Sequence, residues 1–456
     1  MDAAATPWNR FGSKALSDKP SGQLQETAAK FSLSFFWLTS FYFVYCARPG
    51  DTVPGFGEIH PAKITGGLAA LSLLFSLRTS GRQLKDIPKE GFYLLLLILL
   101  LLVSAVLSPV WRGGALDTAL DFSKVFLAWV ATFMLVTTLR ALRRIVFIQS
   151  ASVALVSLAA IVKGHSVPRL EGVIGGLYSN SNDLALAIAL CMPFCLAFLL
   201  TAKSVLRKAS WLCAIVVMTA ALMLTASRGG FIDLGVAGIV LLWHFGIKGK
   251  RTYLIIGALA LILGAFGVEG KQLAVRWNGF FGRGASEQQD TAHDSYVQRK
   301  TLVTKAIQTI AEYPILGVGA GNFVVHSRMW RDVHVVYLQI AVDGGIFALI
   351  LYLMFFARGF TNLRLLFKSE NLDTETVLFA GAVKSSLVGF VVGACFAPVA
   401  YQFFPYFFVC YSSVLLAIVN DRAESQNKGG AAVASPVVRG RRTGSGGRFN
   451  GLMHTC

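Results

Sequence analysis

The chain has 456 residues, of which 55% are hydrophobic and only 14% charged. A soluble domain carries about 25% charged residues, so a water-soluble globular class is excluded. The net charge of +18 does not point to nucleic acid, because the basic residues lie between apolar blocks and in the C-terminal tail, which sets membrane orientation rather than building a basic face.

In chain order, residues 1–30 are polar and mixed in charge, and are expected to form a cytoplasmic tail. The apolar block that opens near Phe31 has no secretory-signal pattern before it and is expected to remain as a membrane helix. About twelve spans are expected, near 31–47, 62–79, 91–109, 116–138, 145–163, 182–201, 209–226, 230–246, 252–268, 334–357, 375–397 and 401–419. The stretch Phe92–Leu107 holds no charge, as a lipid-buried helix requires. The expected organisation is therefore an all-α polytopic membrane protein: spans 1–9 over 31–268, a loop over 269–333, spans 10–12 over 334–419, and a Gly-, Ser- and Arg-rich tail over 420–456, expected to be disordered and cytoplasmic.

Lysine and arginine orient these spans. With a cytoplasmic N-terminus, the inner loops carry Arg78, Arg82, Lys85 and Lys89; Arg140, Arg143 and Arg144; Lys203, Arg207 and Lys208; Lys248, Lys250 and Arg251; and Arg358, Arg364 and Lys368. The short outer loops carry only Arg48, Lys63, Arg112, Lys163, Arg169 and Arg228. In the long outer loop, Leu302, Val303, Ala306, Ile307 and Ile310 share one helical face, and Glu312-Tyr313-Pro314 stops that helix. GVGAGNF (Gly317, Gly319, Gly321) follows; with no strand before it, the motif is not a dinucleotide loop, and its glycines either shape a tight turn or let backbone amides approach a ligand. The seven cysteines form no metal-type pair and read as small apolar filler, and no ligand cluster for a metal is present.

Chemistry-bearing residues gather on the outer face. Arg228, in TASRGGF, sits between two apolar blocks with almost no loop, where a guanidinium needs an anion or a water-filled cavity. Arg169, Arg276, Arg283 and Arg299 also face outward, against the orientation rule, and arginine suits bidentate contact with diphosphate; interfacial snorkelling is the plainer alternative. His334 opens the tenth span just after Asp332, where a helix N-terminus disfavours imidazolium, so a neutral ring can take a proton from a hydroxyl. His293 and His326 are rival bases in the same loop, and His326 is also a candidate substrate contact. Asn180, Asn182 and Asp183 open the sixth span; Asn182 either caps the helix, as Ser181 also could, or contacts sugar or phosphate. Lys124 and Asp121, one turn apart, are either a structural ion pair or a substrate contact.

Taken in order, Arg169 with SNSND, then TASRGGF, a long outer loop with Arg299, EYPILGVGAGNF, and a His opening HVVYLQIAVDGGIFALILYL resemble the O-antigen ligase and polymerase superfamily of bacterial inner membranes, over residues 165–357. RPGDTVPGFG after the first span is similar as well. The resemblance implies a GT-C-like fold of about twelve helices with a large periplasmic loop, cytoplasmic termini and a periplasmic active site in the inner membrane. It implies transfer of glycan from undecaprenyl diphosphate to an acceptor hydroxyl without metal, nucleotide sugar or other cofactor. It makes His334 the general base and Arg228 and Arg169 the diphosphate-binding pair, assisted by Arg299, Arg276 and Arg283. Two positions depart from the family pattern: Val335 replaces an Asn directly after the His, and Asp343 replaces a Glu. The leading expectation is an O-antigen ligase that joins the lipid-linked polysaccharide to the lipid A-core. An O-antigen polymerase or protein O-oligosaccharyltransferase would use the same donor. A transporter or flippase would need charged residues near the bilayer midplane and repeated halves, and no such repeat stands out.

Overall fold

The computed structural model describes residues 33–52, 55–76, 82–163, 170, 178, 180–261, 263–264, 267, 287–369 and 372–433, and among them there is no β-strand. The helices are α1 (Leu33–Ala47), α2 (Pro61–Ser76), α3 (Lys89–Val106), α4 (Arg112–Leu135), α5 (Leu139–Lys163), α6 (Ser181–Thr201), α7 (Val205–Thr225), α8 (Arg228–Leu241, prolonged by a π-helical segment Leu242–Ile247), α9 (residues 253–261), α10 (Glu287–Glu312), α11 (Val336–Lys368), α12 (Thr374–Gly393) and α13 (Phe403–Val433). Nine helices among the described residues are long and apolar enough to cross a membrane, so the chain is a multi-pass membrane protein. The expectation of twelve spans is met only in that helix occurs in each of the twelve stretches. The α1 and α2 helices are shorter, since fifteen residues rise only about 22 Å against a hydrocarbon core of about 30 Å.

Several boundaries move outward from the sequence-based expectation. The α5 helix begins at Leu139 and α7 at Val205, so Arg140, Arg143, Arg144, Arg207 and Lys208 lie on helices rather than in loops. Likewise α11 runs to Lys368 and α13 to Val433, past the expected ends at 357 and 419. The physical reason is that a helix keeps its backbone hydrogen bonds beyond the hydrocarbon, while long basic side chains reach water from its last turns.

The α6 and α12 helices form the centre: 78% of the apolar window of each is buried, against 39% for α7 and α8. Close approach of α8 and α12 follows from small residues. A Cβ on Gly389 would lie 3.1 Å from Ala237 Cβ, and one on Gly393 would lie 2.7 Å from the Asp233 carboxylate, a packing that small side chains permit between membrane helices. One polar knot ties α3, α11 and α13 together. Glu90 is fully buried; its Oε1 accepts from Asn362 Nδ2 (2.6 Å) and Ser413 Oγ, and Arg358 Nε lies 3.7 Å from its Oε2. Glu90→Ala leaves Asn362 and Arg358 facing a vacated site and is expected to cost on the order of 3 kcal/mol, whereas Ser413→Ala removes one intramembrane hydrogen bond worth about 0.6 kcal/mol. Thermal unfolding in detergent checks the ranking, and equal midpoints for the two variants would refute it.

Candidate active site

The turn that presents Arg228 is built from its neighbours. The α7 helix ends at Thr225, and Ala226 takes a left-handed conformation (φ 46°, ψ 35°) that reverses the chain. Ser227 then caps α8: its Oγ accepts from Gly230 N and donates to Asn182 Oδ1 at 2.7 Å. Arg228 is thereby fixed in the first helical turn. The cap of α6 is Asn180, whose side chain accepts from Asn182 N. The expectation that Ser181 or Asn182 is the cap is therefore corrected: the Asn182 side chain instead joins the SNSND and TASRGGF turns.

Arg299, half-buried on α10, and His334, in the segment before α11, complete the arrangement. The charge of Arg228 acts on Arg299, and that of Arg299 acts on His334, so three separate chain segments converge. Two contacts clip α10 to the segment that carries His334: Arg331 Nη1 donates to Gln298 Oε1 at 2.6 Å, and Lys305 Nζ donates to Ser327 O. His334 Nδ1 lies 3.0 Å from Asp332 O. A carbonyl can only accept, so Nδ1 carries the hydrogen and the neutral ring keeps its lone pair on Nε2.

Burial lowers the His334 pKa below the ordinary imidazole value, and the Arg299 guanidinium lowers it further; the Asp332 carbonyl opposes both, and Arg331 adds a lesser depression. Asp332 itself is raised by burial. His334 directly precedes Val335, the N-cap of the helix, rather than opening the helix itself. In sign terms, a depressed histidine is neutral at pH values where an ordinary one is already half charged. Arg299→Gln is expected to move the His334 titration midpoint upward, as read by NMR of the imidazole; an unchanged midpoint would show that Arg299 does not act on the ring.

Val335 offers no capping side chain, and the Val336 amide instead donates to Ala394 O at 2.7 Å. The end of α12 thus supplies an acceptor at the start of α11, where an Asn cap would otherwise serve.

The GVGAGNF segment docks on the protein's own backbone. The α11 helix breaks at Gly345 (φ 77°, ψ −176°), which frees carbonyls one turn earlier. Val318 N donates to Val342 O (2.8 Å), Gly319 N donates to Asp343 O (3.1 Å), and Ile346 N donates to Pro314 O (2.9 Å). The Ser104 hydroxyl adds a donor to this group of carbonyls, at 2.7 Å from Asp343 O, and Ser108 Oγ donates to Val318 O. Irregular backbone inside a membrane protein must find such partners within the protein. The positive φ of Gly317, Gly319 and Gly321 serves this docking, so the tight-turn alternative holds for the segment. The Asp343 carboxylate accepts from Tyr401 OH at 2.6 Å.

The remaining candidates have other surroundings. His326 Nε2 lies 3.7 Å from Glu312 Oε2, and its ring meets Tyr313 edge-on. Lys124 pairs with Asp121 on a well-exposed face of α4. The amphipathic helix packs through Leu302 and Ala306 against Val318, Phe323, Val333 and Val342, while Ile307 is 56% exposed. Arg169, Arg276 and Arg283, and the side chain of His293, lie outside the described residues. No group of three or more His, Cys, Asp or Glu that could hold a metal occurs among the described residues. Sequence reasoning missed the orienting Asp332 carbonyl and the Tyr401–Asp343 bond, neither of which has a motif.

A family described as O-antigen ligase matches residues 213–353, a stretch that takes in Arg228, Arg299, the glycine segment and His334. No curated protein matches the chain.

Proposed function

We propose, from the premise that this multi-pass membrane protein belongs to the O-antigen ligase superfamily, that it transfers a polysaccharide from undecaprenyl diphosphate to a sugar hydroxyl of the lipid A-core on the periplasmic face of the bacterial inner membrane. The observation that carries this proposal is the succession in which Arg228 acts on Arg299 and Arg299 acts on a half-buried imidazole whose Nε2 keeps its lone pair. The acceptor hydroxyl attacks the anomeric carbon of the first sugar, and the bond from that carbon to the diphosphate oxygen breaks. His334 Nε2 takes the hydroxyl proton. The departing diphosphate gains negative charge, which Arg228 and Arg299 stabilise through charge-assisted hydrogen bonds; Arg169, Arg276 and Arg283 are proposed to assist. Asn182 acts through the turn that carries Arg228.

The test is reconstitution of the purified chain in lipid nanodiscs with lipid-diphosphate-linked polysaccharide and lipid A-core acceptor. Polysaccharide-capped lipid A-core is the expected product. Lengthened polymer that remains on the lipid carrier would instead identify a polymerase, glycan on a supplied acceptor protein would identify a protein O-oligosaccharyltransferase, and movement of the intact donor across the bilayer without bond cleavage would identify a flippase.

A further inference from the structure

About 24 Å or more along α8 from Arg228, by the helical rise, lies a second basic cluster that the proposed reaction does not use. The end of α8 widens into the π-helical segment Leu242–Ile247; π-turns are rare and recur at functional positions. His244 is only 5% exposed there, and its ring stacks on Phe367 of α11, with centroids 5.8 Å apart and planes at 11°. Lys384 Nζ, from α12, lies 5.9 Å from the centroid of the same Phe367 ring, and Lys248 Nζ lies 5.9 Å from that of Trp243.

Lys384 is the eleventh residue of a twenty-residue membrane helix. A half-buried ammonium in that position calls for an anion. Yet the charge that acts on Lys384 among the described residues is another cation, Lys248, and both lysines act on His244. The acids at the start of α12 are engaged elsewhere, Glu375 with Arg143 and Asp373 with Arg422. Trp243 and Ile247, on the same widened turn, expose half of their apolar surface. Phosphate beside acyl chains matches both features, since basic pockets between membrane helices receive anionic headgroups.

We propose that His244, Lys248 and Lys384 form a phosphate site for the headgroup of an anionic phospholipid, at the end of the bundle remote from His334.

The full-length chain in neutral detergent would be titrated with phosphatidylglycerol, phosphatidylcholine and inorganic phosphate, with binding read by native mass spectrometry. Wild type is expected to prefer phosphatidylglycerol over phosphatidylcholine. The pair Lys248→Gln and Lys384→Met is expected to reduce that preference about tenfold. A second pair, Arg207→Gln and Lys208→Gln, which neutralises a different basic segment, is expected to keep it. Circular dichroism on all variants reports folding; should the Lys384 variant fail to fold, Lys248→Gln with His244→Gln takes its place. No preference in wild type, or an equal loss in both variant pairs, overturns the proposal. Inorganic phosphate bound as tightly as phosphatidylglycerol overturns the lipid assignment and leaves a free-anion site.

Discussion

Replacing His334 by Ala is expected to slow glycan transfer by about 10²–10⁴-fold, the usual contribution of a positioned general base, while the helical content and thermal midpoint stay near those of the parent. The ring is half-buried and bonds to the Asp332 carbonyl, so its loss disturbs little packing. His326→Ala is the matched control, because that imidazole is engaged with Glu312 and Tyr313, and its variant should keep most of the activity. The measurement is the initial rate of polysaccharide-capped lipid A-core formation in nanodiscs, with donor and acceptor saturating. Retention of parental rate by His334→Ala, or loss of it in His326→Ala alone, would move the base to another residue. The pH profile adds a second check: the base must be neutral, so the rate falls as pH drops through the depressed His334 pKa, and the acid limb lies below the ordinary imidazole range.

Gly345→Ala is expected to be severely damaging. An added Cβ would sit 2.1 Å from Ile315 O and 2.8 Å from Pro314 O, both backbone atoms that no side-chain rotation can remove. The φ of 77° with ψ −176° lies in a region reserved for glycine and adds a penalty of about 1–3 kcal/mol for any L side chain. A total of 3 kcal/mol or more places the variant among the severe single substitutions. The break at Gly345 is what lets Val318, Gly319 and Ile346 exchange bonds with α11 and the Pro314 turn, so the defect should appear as rapid hydrogen exchange of those amides and as lost transfer. Gly238→Ala provides the contrast: it lies in α8, nothing stands within 4 Å of its Cβ position, and alanine in a helix gains about 0.5–1 kcal/mol over glycine. Equal melting of the two variants would show that the helix break is not held by these contacts.

The sequence by itself determined where the helices lie, because a stretch such as Phe92–Leu107 has no other way to satisfy its backbone in a bilayer. It also isolated Arg228, Arg299 and His334 one at a time, since a charge between apolar blocks or an imidazole at a helix entrance shows in local composition. It did not locate the helix ends, which move outward wherever basic stems extend a helix past the hydrocarbon, as at Leu139 and Lys368. Only the tertiary structure decided that Arg299 of α10 acts on the imidazole and Arg228 of α8 acts on Arg299, and that the proton sits on Nδ1. It likewise assigned the GVGAGNF amides to carbonyls freed at Gly345, and gave Glu90 its partners on α11 and α13, 272 and 323 residues away. The reason is one of range: hydropathy and helical period are set by residues a few positions apart, whereas hydrogen-bond partners, buried charge and the pKa of an imidazole are set by whatever the packed helices bring within a few ångströms.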